Sequence, residues 1–146
     1  MSEHKSVELE NLEKSVANSY GGTVKCFTAS FDLSKIKAAV GDKLLLCVKP
    51  RGGVFLGATI NTSVTLGTAT LTIDGQTKAA HDAAAADAAA KYAKARTLTT
   101  PNQPVWFADA GKNEQTRFEE AVKATVGAAA LPTSGELVFT VFVGML

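Results

Sequence analysis

From Thr23 onward the chain runs in short stretches of Val, Leu, Ile, Phe and Thr, broken by clusters of Gly, Pro, Asp and Asn. That is the texture of strands separated by turns. The stretches predict strands over Val24–Phe31, Lys43–Lys49, Val54–Ile60, Thr62–Leu66, Ala69–Asp74, Tyr92–Thr99, Val105–Ala108 and Glu136–Val143. Across Thr68–Asp74 the apolar residues fall on one face and the threonines on the other, as a strand with one wet side requires. Ile60–Leu66 has the same period of two, so Gly67 between the two runs predicts a hairpin. Lys49-Pro50-Arg51-Gly52-Gly53 predicts a tight turn, because proline fixes φ and glycine accepts positive φ. The last run, Leu137–Val143, is apolar on both sides and needs cover on both. A central place in a sheet, or a place against a neighbouring subunit, avoids the hazard of an open apolar edge.

Three segments have helical texture. In the polar first twenty residues, Val7 or Leu9, Leu12 and Val16 recur at about helical spacing, Glu10 and Lys14 stand at i, i+4, and Gly21-Gly22 supplies a stop. This predicts a short amphipathic helix, too short to stand alone in water. It needs a surface, either its own domain or a neighbouring subunit. Residues 79–90 hold nine alanines in twelve positions and predict a helical turn or two. Over Asn113–Gly127, Phe118, Val122 and Val126 recur at i, i+4, i+8 and predict a third helix ending at Gly127. The fold class expected is mainly β: an antiparallel β-sandwich or jelly roll over residues 23–146, an N-terminal helical arm over 1–22, and one or two short helices in long connections.

Charge and chemistry narrow the function classes. Fifteen basic side chains face 14 acidic ones, a net charge of +1. Gripping nucleic acid needs a clear basic excess, so no nucleic-acid partner is expected. No apolar run is long enough to span a membrane, and the charged N-terminus is unlike a signal peptide, so a soluble protein made in a cytoplasm is expected. Cys26 and Cys47 lie in apolar runs without a CxxC spacing and are expected as buried free thiols. His4 and His81 lack ligand partners at metal spacing, and the Walker A, dinucleotide and nucleophile-elbow patterns do not occur. Glu119-Glu120 is expected on a solvated helix face. No enzyme activity, cofactor or metal is expected.

Two aromatic segments supply candidate contacts. On a strand, Tyr92, Lys94 and Arg96 would share one face, which suits a wet face, a contact between subunits or a weak polyanion site. Trp106 and Phe107 point to opposite faces, so one is expected in the core; the other is either an interface anchor or covered within the monomer. The interface candidates are Leu9, Leu12, Val16, Tyr92, Arg96 and Trp106.

The order of three segments resembles a family. Val40-Gly41-Asp42-Lys43-Leu44-Leu45-Leu46 is followed by Pro50-Arg51-Gly52-Gly53-Val54-Phe55-Leu56-Gly57-Ala58 and then by Asn61–Ile73, before Lys91-Tyr92 and a closing strand of Thr and Val, Glu136–Val143. This order, over residues 23–109 and 130–146, is similar to that of small virion proteins of tailed bacteriophages: capsid decoration (cement) proteins and head-fibre bases. The resemblance implies a β-sandwich or jelly-roll subunit, often trimeric, bound to the major capsid protein on the outer capsid surface and stabilising the head. The arm 1–22 and the insertion 111–129 depart from the family pattern. Two other readings stay open: a tail, baseplate or head-fibre component, and a carbohydrate-binding sandwich with Trp106, Tyr20 and Tyr92 as stacking residues.

Overall fold

The computed structural model describes residues 3–5, 23–77, 88–109 and 119–145. Within them the chain forms β1 (Glu3–Lys5), β2 (Thr23–Asp32), α1 (Leu33–Ile36), β3 (Lys43–Lys49), β4 (Gly53–Thr62), β5 (Thr70–Thr77), β6 (Ala88–Thr97), β7 (Val105–Phe107), β8 (Glu120–Gly127) and β9 (Glu136–Met145). Two sheets result, in the orders β1-β3-β8-β5-β6 and β2-β9-β4-β7. All pairings are antiparallel except β1 on β3, which is parallel. Most connections cross from one sheet to the other, and only β5 and β6 are consecutive neighbours in one sheet. The product is an antiparallel β-sandwich with a short added edge strand.

The core lies between the sheets because each strand turns alternate residues inward. Ala29 and Phe31 from β2, Phe55, Ala58 and Ile60 from β4, and Leu137, Phe139, Val141 and Val143 from β9 meet Leu44, Leu46, Leu71, Ile73, Val122, Ala124 and Val126 from the other sheet. Phe31 and Phe139 pack edge to face at 5.9 Å, and Phe55 stacks on Tyr92 at 4.3 Å. Strand β9 lies between β2 and β4, the central place its two apolar faces predict. The tight turn after β3 also forms: Gly53 N donates to Pro50 O at 3.0 Å, with Gly52 at φ 80°. It passes the chain from one sheet to the other. In the β2–β3 connection, Asp32 caps α1 by accepting from Ser34 N at 3.0 Å, and Lys37 ends it at φ 45°.

Several expectations are corrected. Residues 120–127 form strand β8 and not the end of a helix. Spacings of four and eight are multiples of two as well as near multiples of 3.6, so Val122 and Val126 fit both periods, and Ala124 between them is buried too. Consequently Glu120 is not solvated: it is 1% exposed. The strand predicted over 62–66 does not form, Thr62 being the last residue of β4, and the 60–74 hairpin does not exist, because β4 and β5 lie in different sheets. Thr62 instead closes a local turn, its hydroxyl donating to Val64 O at 2.7 Å. Residues 88–90 of the alanine-rich segment belong to β6, not to a helix. The remainder of that segment, residues 113–118 of the third predicted helix and His81 lie outside the described residues. The arm helix, with Leu9, Leu12 and Val16, lies outside them as well; the described part of the arm, Glu3–Lys5, is a strand. Tyr92 and Arg96 do not share a wet face. Register shifts in the β5–β6 pairing break the period of two, and Tyr92 is fully buried. Cys47 is buried as expected, but Cys26 is exposed on the outer side of β2.

Phe139 is the test of this packing. Phe139→Ala is expected to cost about 3–5 kcal/mol in urea unfolding, the range for a large buried aromatic; a cost below 1 kcal/mol would contradict a core centred on β9.

Candidate functional site

The outer face of β2-β9-β4-β7 is built from the residues that alternate with the core set. Register places them in rows across the sheet: Val24, Gly144 and Val54; Cys26, Phe142 and Gly57; Thr28, Thr140, Thr59 and Trp106; Ser30, Val138 and Asn61; and finally Asp32 and Glu136. Val24 is 58% exposed and Trp106 49%, while Phe142 is half-buried. Leu56, at the bulge between Phe55 and Gly57, lies over Gly144. Four of these five rows carry no charged side chain, in a chain where 20% of residues are charged. A broad uncharged sheet face with an exposed tryptophan is the composition of a protein contact, where charge is depleted and aromatics are enriched.

Trp106 is held in place from three sides. Its ring lies 5.7 Å from that of Phe142. Beneath it, a Cβ on Gly57 would stand 2.2 Å from the indole, and Gly57 has φ +149°, so only glycine leaves room for the ring. Behind it, the Arg96 guanidinium donates to Trp106 O at 2.8 Å, pairs with Asp109 at 3.1 Å and lies 5.2 Å from the Phe107 ring. Arg96 is on β6 and Trp106 on β7, so this contact ties the two sheets together at one edge. Of the predicted contact residues the structure therefore brings Arg96 and Trp106 together, with Arg96 as support and Trp106 outermost. Tyr92 is removed from the surface altogether.

The buried polar groups have a different character. Lys49, Tyr92 and Glu120 sit between the sheets at 0%, 0% and 1% exposure. Lys49 Nζ donates to the Tyr92 hydroxyl at 2.9 Å and stands 3.4 Å from Glu120 Oε1. The Tyr92 hydroxyl donates to Glu120 Oε1, and Lys91 Nζ pairs with Oε2 at 2.6 Å. Gly75 on β5 faces this carboxylate, and any Cβ there would fall 2.9 Å from its carbon. Burial pushes the Glu120 pKa up, but the hydrogen bonds from Lys91 and Tyr92 and the charges of Lys49 and Lys91 outweigh it and hold the group ionised below its ordinary value. With its atoms enclosed and bonded in this way, the cluster fixes the end of β3 and the start of β8 against the middle of β6. Cys47 nearby is chemically quiet, since burial raises its thiol pKa to about 12.

On the outer side of the other sheet, Asp74 is 2% exposed. It accepts from Ala90 N at 2.6 Å, Thr72 at 3.1 Å and Thr125, with Lys43 at 3.5 Å. His4 on β1 meets Asp42 at 3.2 Å and is half-buried against it. Among the described residues no three His, Cys, Asp or Glu side chains are grouped to hold a metal ion.

No protein-family model matches the chain, and no curated protein matches it in sequence. Its fold has solved counterparts. A chain in the capsid of Ralstonia phage GP4 superposes with a TM-score of 0.72 at 16% identity, over 99% of this chain and 98% of that one. A chain in the capsid asymmetric unit of cyanophage Pam1 superposes with 0.58 at 20% identity, over 91% and 92%. The fold occurs in bacteriophage capsids. In both cases nearly the whole of each chain is matched, so the likeness is to complete chains and not to a domain within a larger protein.

The residues of the face missed by sequence reading are Val24, Cys26, Leu56 and Phe142. For Val24, Cys26 and Phe142 the signal was present in the apolar even-numbered positions of β2 and β9, which share one parity and pair in register; Leu56 sits at a β4 bulge that no local pattern marks. Glu120 gives the energetic test of the interior. Glu120→Gln leaves Lys49 buried beside an uncharged partner and is expected to cost about 3–5 kcal/mol at neutral pH. Because the folded-state pKa is lowered, the ion pair's contribution is present above the ordinary glutamate value of about 4.5 and is lost as pH falls through the folded value. The gap between wild type and Glu120→Gln in urea unfolding should therefore narrow on acidification; a gap that stays constant from pH 7 to pH 3 would contradict the network.

Proposed function

We propose that this chain is a structural, non-enzymatic subunit of a tailed-bacteriophage particle. It is a jelly-roll decoration (cement) protein that binds the outside of the major capsid shell as a homo-oligomer and stabilises the head. The observation that carries the reading is the whole-chain match to a chain resident in the Ralstonia phage GP4 capsid. The strand order supports the jelly roll: β2-β9-β4-β7 over β3-β8-β5-β6 is the arrangement of eight strands whose connections shuttle between two sheets. The exposed Trp106 face and the enclosed polar cluster support assembly over chemistry.

The mechanism needs only binding energy. A shell under internal pressure fails where its subunits meet, and a ligand that binds only the intact joint stabilises it by mass action. Linking several such contacts in one oligomer raises the effective concentration of each, so modest individual contacts hold firmly together. The rigid sandwich suits this role, since little ordering entropy is lost on docking. The arm 1–22, whose described part lies along β3, is proposed to add a second point of attachment.

The test is to mix the purified protein with expanded empty capsids of the phage that encodes it and to separate bound from free by sedimentation. Saturable co-sedimentation at a fixed ratio to the major capsid protein, with a higher capsid melting temperature, is expected. Bare capsids at saturating protein would overturn the cement reading and favour the tail.

A further inference from the structure

We propose that the outer face of β2-β9-β4-β7 is the surface on which two copies of this chain pair, sheet on sheet, about a two-fold axis parallel to the strands. The contact deepens the homo-oligomer of the proposed function and rests on that part of it, but it forms without a capsid.

Charge is the first argument for a second copy as the occupant. The four rows from Val24 to Asn61 carry no ionisable side chain other than the Cys26 thiol, so the face neither repels a copy of itself nor attracts a charged partner. Burying it against a typical charged surface would strip water from that surface's ions without compensation. A matching uncharged face is needed, and each copy of the chain brings one.

Shape is the second. The bulky side chains, Phe142, Leu56 and Trp106, lie on β9, β4 and β7, whereas the middle outward residues of β2, between Val24 and Asp32, are the small Cys26, Thr28 and Ser30. A two-fold axis along the strands lays β2 of one protomer over β7 of its partner, and β9 over β4, while keeping each row opposite its own kind. Trp106 then meets the Cys26–Thr28 strip across the interface, bulk against small, and apolar rows meet apolar rows. Such reciprocity is what an isologous contact demands. Packed sheets cross at about 30°, so their corners diverge. The two carboxylates of the face, Asp32 and Glu136, stand at one end and stay at the solvated rim.

Area is the third. The three ten-residue strands, spaced about 4.8 Å apart and about 34 Å long, with the three-residue β7 beside them, present roughly 540 Å² in projection, before the relief of Phe142, Leu56 and Trp106 is counted. That is about two-thirds of the roughly 800 Å² per partner of a stable interface.

Light-scattering mass in solution tests the contact without any capsid. Wild type is expected at twice the chain mass, and Trp106→Glu and Thr28→Lys are each expected at the single-chain mass. Thr28 is exposed and three strands from Trp106, so its substitution disturbs neither the core nor the tryptophan. Far-ultraviolet circular dichroism checks that both variants stay folded. A wild type that runs as a monomer, or a dimer that survives both substitutions, would overturn the proposal. A monomer that still decorates capsids would leave the cement reading standing and remove only this interface, whereas a dimer that fails to decorate would do the reverse.

Discussion

Strand β9 sets the problem that the rest of the molecule answers. Leu137, Phe139, Val141 and Val143 on one side and Val138 and Phe142 on the other make it apolar on both faces, and a two-layer sandwich can bury only one. The fold places β9 between β2 and β4, so its backbone groups are paired on both edges, and it turns the more apolar side to the core. The other side remains outside with Trp106 lying beside it. The same constraint that centres the sandwich thus leaves an apolar face without cover from the chain's own sheets, and that face is the basis for reading the protein as one made to assemble.

The interior polar cluster is the counterpart of this exposed surface. Placing Glu120, Lys49 and Tyr92 between the sheets costs desolvation of two charges and a hydroxyl, and the arrangement recovers that cost only because every group has a bonded partner. Such a network is weak as a source of net stability but demanding in geometry. Lys49 and Glu120 are opposite residues of β3 and β8, so their pairing penalises a slip of register between those strands. The charged and hydroxyl groups of this cluster serve the fold.

The strands were legible in the sequence wherever one period explained the pattern. The sequence pattern places Lys43–Lys49 with its observed bounds and the other strands, β1 and β8 excepted, with ends shifted by up to four residues. The strand β8 was not legible because Val122 and Val126 satisfy both helical and extended spacing, and the alanines around them favour a helix locally. Sheet membership decided the matter, and membership is set by contacts distant in sequence, such as Ile73 opposite Ala124. The site was half legible. Opposite orientation of Trp106 and Phe107 follows from strand geometry, but the burial of Tyr92 depends on register shifts between β5 and β6 that no local pattern marks.

The central claim is that this sandwich is a building part of a virion, attached through surfaces and without chemistry. A cryo-electron microscopy reconstruction of the phage that encodes it tests this most directly. The account predicts ordered density for the sandwich at symmetry-related joints on the outside of the capsid, with the Trp106 face covered by protein. A particle whose capsid carries no such density would contradict it.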